Sequence, residues 1–169
     1  MKLLLHLQAI LLLPFLVTVV VPIVILLASG RRLIGWGLTP PLDLLVTLAG
    51  ALFVVLGLLL AAYTISLFFH FGEGTLAPWT PTRKLVVRGI YRHVRNPMIT
   101  GVWGILLGES LMFGSPGVVY WFGFVLLLNL IYIPLIEEPD TESRFGEDYR
   151  TYKRNVPRWI PQLRPWMGA

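Results

Sequence analysis

Glu137 and Glu138 follow the apolar run GVVYWFGFVLLLNLIYIPLI (117–136) with no spacer. Two carboxylates at the mouth of a membrane helix are costly if they face hydrocarbon, so they face a partner, a cavity or the headgroup layer. An ionised carboxylate only accepts hydrogen bonds, which suits hydroxyls, an amine or another cationic ligand. The plainer reading is a pair of interfacial charges held by nearby arginines. Arg95-Asn96-Pro97 forms a second constellation. Proline is well placed at a helix start, Asn96 is then positioned to cap that helix, and the basic flanks suit lipid phosphates. A helix N-terminus also presents free N–H groups to a polar or anionic ligand. Pro97, Gly101, Gly104 and Gly108 recur at i, i+4, i+7 and i+11, leaving one helix face nearly bare. That face suits close packing of the small-xxx-small type, for which the fourth span is a candidate partner, or a flat ligand at another level. Glu109 and Asn129 lie within apolar spans and need internal partners, a mutual hydrogen bond or one to backbone. Glu109 sits about three helical turns beyond Pro97, toward the opposite side of the membrane, and stays outside the catalytic set.

The elements that must position these residues are apolar spans at about 3–28, 42–69, 98–114 and 117–136. About 20 apolar residues cross the hydrocarbon. The third span is short and carries Glu109, so it is expected to be partly buried in the bundle or flanked by thinned bilayer. Lys2 before an apolar run ending Leu27-Ala28-Ser29-Gly30 resembles a signal peptide, but the run is longer than a usual h-region. A retained first helix, kinked at Pro14 and Pro22, is expected. Basic residues set the topology. Arg83, Lys84, Arg88, Arg92 and Arg95 lie between the second and third spans, and Arg144, Arg150, Lys153, Arg154, Arg158 and Arg164 follow the fourth. The turn Phe113-Gly114-Ser115-Pro116 carries none. The positive-inside rule then places both termini and the charged segments in the cytoplasm, with Arg31 and Arg32 a mild violation.

The connection at 70–97 holds Gly72, Gly74, Pro78 and Pro81, and is expected to be irregular and ordered by packing. Pro139 disfavours simple continuation of the fourth helix, so Asp140 or Thr141 is expected to cap a new one. Phe145, Tyr149, Tyr152 and Val156 fall on one helical stripe, with Arg150, Lys153 and Arg154 off it. This predicts an amphipathic cytoplasmic helix lying on the membrane or folded over the helix ends.

With 169 residues, 56% hydrophobic and 14% charged, the chain is too apolar for a soluble domain of its length. A single all-α membrane domain is expected: a polytopic bundle of about four transmembrane helices, residues 1–70 acting as scaffold or substrate-side helices and 71–169 as the core of the site. The net charge of +5 sits at helix ends, where it sets topology and meets anionic lipid. No basic groove or aromatic platform outside the spans suggests nucleic-acid binding. With no cysteine, disulfides, thiolate metal sites and a cysteine nucleophile are excluded. His6, His70 and His93 lie in separate segments, so no metal site is expected.

The segments GTLAPWTPTRKLVVRGIYRHVRNPMITG and EEPDTESRFGEDYRTYKRNVPRWIP resemble the isoprenylcysteine carboxyl methyltransferase and phospholipid methyltransferase superfamily, over roughly 74–161. Its pattern has R-H-P or R-N-P ahead of a helix, a Glu-Glu pair at the end of the next, and then F-G-x-x-Y-x-x-Y-x-x-x-V-P-x-x-I-P. Phe145, Gly146, Tyr149, Tyr152, Val156, Pro157, Ile160 and Pro161 match that last part. Departures are Asn96 where histidine is common, Ile99 where tyrosine is common, and Thr141 where leucine is usual. The R-N-P form looks more like bacterial relatives and the lipid-methylating branch, which implies a bacterial inner-membrane enzyme. The resemblance implies S-adenosyl-L-methionine as cofactor and a lipidic or apolar acceptor, either a prenylcysteine-like carboxylate or a lipid amine. It implies that Tyr91, Arg95, Asn96, Pro97, Gly101, Gly104, Glu137, Glu138, Tyr149 and Tyr152 bind the cofactor. Glu138 would orient an amine acceptor, and Arg144 or Arg95 would hold a carboxylate one. The competing expectations are a non-catalytic relative that binds lipid or a partner, and a small transporter or channel subunit.

Overall fold

A computed structural model describes residues 12–30, 34–71 and 84–168. The expectations at Lys2, His6, Arg31, Arg32, Gly72, Gly74, Pro78, Pro81 and Arg83 lie outside the described residues. Among those described there is no strand: α1 (Leu12–Ala28), α2 (Leu42–Phe71), α3 (Pro97–Phe113), α4 (Pro116–Tyr132) and α5 (Glu138–Asn155). α2, and α4 run together with α5, are long and apolar enough to cross a membrane; α1 and α3 are shorter apolar helices. Large apolar side chains along α2 and α4, such as Leu44, Leu52, Leu59, Leu127 and Ile131, point outward. For a water-soluble protein that surface would be a contiguous liability. In lipid it is the expected lining.

The densest packing joins α2 and α3, and glycine explains it. A Cβ at Gly57 would lie 2.6 Å from the Gly101 carbonyl oxygen, and one at Gly50 2.7 Å from that of Gly108. As the α2 number rises by seven, the α3 number falls by seven, so the two helices run antiparallel with backbones in contact. Without a solvent-driven hydrophobic force in lipid, such close approach is what holds helices together. The bare face of α3 is therefore filled by α2, not by α4. This corrects the expected partner.

α1 holds α4 from the other side. Its turn Leu16–Val20 is a π-turn, with the Val21 N–H bonding the Leu16 carbonyl. Pro22 has no N–H to offer the carbonyls behind it. The Val17 carbonyl is left to accept the Trp121 indole N–H at 2.9 Å. Val17, Trp121 and Phe122 then pack around Val102, Leu106 and Val125.

The end of α4 also departs from expectation. The helix does not stop at Pro139. It runs through a π-turn, Ile133–Glu137, straight into α5. Pro134 and Pro139 are five apart, and the wider turn absorbs the bonds they cannot make. The Thr141 hydroxyl donates to the Glu137 carbonyl, so Thr141 lies inside the helix and caps nothing. The break comes instead at Gly146, with φ 56° and ψ −128°, a conformation only glycine adopts without strain. The chain turns there and carries the second half of α5 back over the helix ends.

The predicted stripe is on the inner face. Tyr149, Tyr152 and Val156 are buried, with Phe145, Leu85, Val87 and Trp166 packed around them. The helix folds over the bundle end, as one of the two expectations had it. After Asn155 an irregular strap, residues 156–168, runs back along the loop before α3. The Arg95 N–H donates to the Pro157 carbonyl, the Gln162 N–H to that of His93, and the Trp166 N–H to that of Arg92.

Candidate active site

Three segments meet at the ends of α3 and α4: the loop Tyr91–Asn96, the Glu137–Glu138 pair, and the strap. The apolar stretch of α4 ends at Ile136, so both carboxylates lie beyond it. Glu138 is 3% exposed. Its Oε1 accepts from Arg95 Nη1 at 2.8 Å and from Arg158 Nε at 2.6 Å. Its Oε2 accepts from Arg158 Nη2 at 2.9 Å, and Lys153 Nζ lies 3.6 Å away. Burial alone would raise its pKa. The hydrogen bond from Arg158 and the charges of Arg95, Arg158 and Lys153 outweigh that and hold the carboxyl below its ordinary value.

Glu137 differs in kind. Glu137 is an exposed residue, and among the described residues no cation lies within ion-pair distance of it; its carboxyl is raised by reduced hydration first and by the Glu138 charge second, with the Arg144 charge pulling the other way. Two adjacent carboxylates pushed in opposite directions mark a division of labour. Glu138 is a clamp that ties loop, helix and strap together. Glu137 is the uncommitted acceptor.

Tyr91 joins Glu137 electrostatically. Burial, then the neighbouring Tyr152 and Glu137, raise its phenol well above the ordinary value. Its ring meets Phe68 edge-on at 5.2 Å between centroids, which fixes it against α2. Arg95 is almost wholly enclosed, yet its Nε has no hydrogen-bond partner. The Trp103 indole N–H, further along α3, is buried and unpartnered too. Buried donors without acceptors are unusual and mark a place where a ligand can bond.

Other expected members stand elsewhere. The Asn96 side chain does not cap α3; its Nδ2 donates to the Arg158 carbonyl at 3.3 Å, while its backbone carbonyl accepts from Thr100. Asn96 therefore serves the strap. Pro97 is buried at the first turn of α3, as a proline start requires. Gly101 and Gly104 face α2, with Gly57 O 3.0 Å from a Cβ at the first and Gly57 Cα 3.5 Å from one at the second. Their open faces are therefore turned to α2. Tyr152 donates its hydroxyl to the Tyr91 carbonyl at 2.7 Å and is spent on packing. The Tyr149 hydroxyl lies 3.5 Å from Arg95 Nη1, and burial followed by the Glu138 charge pushes it up to about 12. Arg144 pairs with Asp140 at 3.1 Å and covers the Phe145 ring, and its charge acts on Glu137. Asn129 donates to the Val125 carbonyl, the expected backbone bond; Glu109 Oε2 is buried with no partner.

Sequence reading missed Arg158, the bidentate partner of Glu138, and Trp159, which stacks on Trp103 at 4.6 Å. The available signal was Arg158-Trp159 between Pro157 and Ile160, in the tail pattern already singled out.

Residues 45–148 match the family model described as phospholipid methyltransferase. That is more than half of the chain. The chain belongs to the phospholipid methyltransferase family. It is 32% identical over 105 residues to phosphatidylethanolamine N-methyltransferase 1 of Vanderwaltozyma polyspora, covering 58% of this chain and 12% of that protein. It is 33% identical over 79 residues to the protein-S-isoprenylcysteine O-methyltransferase of Schizosaccharomyces pombe, covering 47% and 34%. It is 38% identical over 66 residues to a protein of Haemophilus influenzae described only as uncharacterized, covering 37% of this chain and 90% of that one. The chain spans only about a tenth of the first relatives' own length, 12% and 10%. No solved structure matches. The family match covers nearly all of α2, all of α3 and α4 and the first part of α5, and so includes Arg95, Glu137 and Glu138 but not Tyr149, Lys153 or the strap's Arg158.

Proposed function

We propose that this chain is an integral membrane methyltransferase using S-adenosyl-L-methionine, with an amine-bearing lipid as methyl acceptor. The observation that carries the reading is the pairing of a committed carboxylate, Glu138, with an uncommitted one, Glu137, where the family-matched loop and helix end meet. The residues present fit the cofactor: the unpartnered Arg95 Nε suits its carboxylate, the Trp103 indole N–H suits another acceptor atom, and Glu137 suits its ribose hydroxyls or its cationic centre. The bound cofactor supplies an electrophilic methyl group. The protein's part is to align nucleophile, methyl and sulfur, since direct displacement rewards positioning.

The acceptor class follows from the charges left over. A carboxylate acceptor needs a free arginine, yet Arg158 is held by Glu138, Arg144 by Asp140, and the one open donor of Arg95 is taken by the cofactor's carboxylate in this reading. An amine needs an acceptor for its proton, and Glu137, raised above its ordinary value, can serve as that base. The relatives named for phosphatidylethanolamine favour the same side. Four membrane passes, with termini and site in the cytoplasm of a bacterial cell, complete the proposal on the arginine distribution.

The test incubates purified protein with methyl-labelled cofactor and a membrane lipid extract. Label in a base-stable N-methylated lipid is the expected result. Base-labile label, released as methanol, would move the acceptor to a carboxylate. No transfer to any lipid would leave the non-catalytic relative standing.

A further inference from the structure

We propose that the outer face of the C-terminal strap docks on the anionic surface of the bilayer that α3 enters. The strap has two faces with different jobs. Val156, Trp159, Gln162 and Trp166 turn inward: Val156 is buried, Trp159 stacks on Trp103, Gln162 bonds the loop and Trp166 packs on Tyr152 at 5.9 Å. That inner set suffices to hold the strap in place. The outer set, Ile160, Leu163 and Met167, is 80%, 97% and 73% exposed. Met167 turns its sulfur to Arg92 Nη1 at 3.6 Å, but folding alone gives no reason for Ile160 and Leu163 to be apolar.

Depth supplies the reason. Trp103 lies six residues into α3 from Pro97, about 9 Å along the helix axis. Trp159 stacks on its ring, so the strap reaches down the flank of α3 to a level where that helix is already apolar. An indole at that depth sits where tryptophan favours the membrane–water boundary. Residues 156–168 contain no acidic residue; Arg158 is spent on Glu138, but Arg164 is exposed, and Arg154 just before them is 72% exposed with only a 3.7 Å contact to Glu147. An apolar outer row among cations fits negatively charged headgroups. The inference rests on the membrane reading above and not on methyl transfer.

The chain has no cysteine, so single ones can be introduced into the full protein. Leu163→Cys, Glu147→Cys and Leu127→Cys would each carry a polarity-sensitive fluorophore. The proteins would be reconstituted in phosphatidylcholine vesicles with and without phosphatidylglycerol. Nitroxide on the lipid headgroup region quenches labels at the surface, acyl-chain nitroxide quenches those within, and iodide quenches those in water. The expected result is headgroup quenching at 163, acyl quenching at 127 and iodide quenching at 147. The contact at 163 should strengthen with phosphatidylglycerol and weaken roughly fivefold in Arg164→Gln, the worth of one basic side chain at such a surface. Iodide quenching at 163 with acyl quenching retained at 127 overturns the docking. So does a 163 label shielded from both quenchers, since protein then covers it. A 127 label that no lipid nitroxide reaches removes the membrane reading and this inference together. Failure of methyl transfer beside the expected quenching leaves the docking intact.

Discussion

Removing the charge at Glu138 would leave Arg95, Arg158 and Lys153 facing one another without an anion. Breaking a buried pair in this way costs on the order of 3 kcal/mol. Glu138→Gln should therefore lower the melting temperature in detergent, whereas Glu137→Gln should leave it nearly unchanged and weaken cofactor binding instead. Calorimetry on both variants decides it; a destabilised Glu137→Gln beside an undisturbed Glu138→Gln would reverse the two roles. The pH dependence has a fixed sign. The folded Glu138 carboxyl lies below its unfolded value of about 4.3, so its stabilisation is fully present above that pH and is lost as pH falls through the folded value. Acidification through the folded carboxyl's range should release the strap, read as loss of the Trp159–Trp103 contact in tryptophan fluorescence, and Glu138→Gln should show that loss at neutral pH as well. The sequence made the Glu-Glu pair legible as a polar feature at a helix mouth. It could not say which carboxylate was spoken for, because the deciding cations, Arg158 above all, arrive from 20 residues away.

At the scale of elements, Gly146 decides whether α5 folds back. A Cβ there would meet nothing within 4 Å, so steric crowding is not the obstacle; the positive φ is. Gly146→Ala should cost about 1–3 kcal/mol and loosen the Tyr149–Tyr152–Val156 packing. Gly123→Ala in α4, also without neighbours at its Cβ but with ordinary helical backbone, serves as the control and should leave stability the same or higher. Equal melting temperatures for the two variants would mean that the left-handed turn is not needed. The elements themselves were readable from hydropathy, and the tail stripe from its period. The break was misplaced because proline is the stronger local signal on paper, whereas a π-turn absorbs Pro134 and Pro139 and leaves the bend to a glycine. The α2–α3 pairing was hidden because Gly50 and Gly57 acquire meaning only when aligned against Gly108 and Gly101.

For the whole molecule the open quantity is how many helices cross. Described lengths make α2 and the long α4 sufficient, and α3, with 17 residues, short. Yet α3 cannot leave the bilayer without taking α2's contact face with it. Gly57→Leu would force a bulky side chain into the Gly101 backbone and should separate the two helices, lowering both thermal stability and any methyl transfer. If α3 and α4 both cross, the turn between them emerges opposite the Glu138 cluster. Pro116→Cys in that turn and Glu147→Cys on the charged tail, both exposed positions, should then react with a membrane-impermeant maleimide from opposite sides of right-side-out and inverted vesicles. Glu147→Cys should be labelled in the inverted set, because the arginine-rich segments favour the cytoplasm. Reaction of both cysteines from one side would reduce α3 and α4 to a re-entrant pair. The Arg95–Glu138 junction would survive that change, since it depends on the helix ends, but the acceptor would have to reach it from the same leaflet.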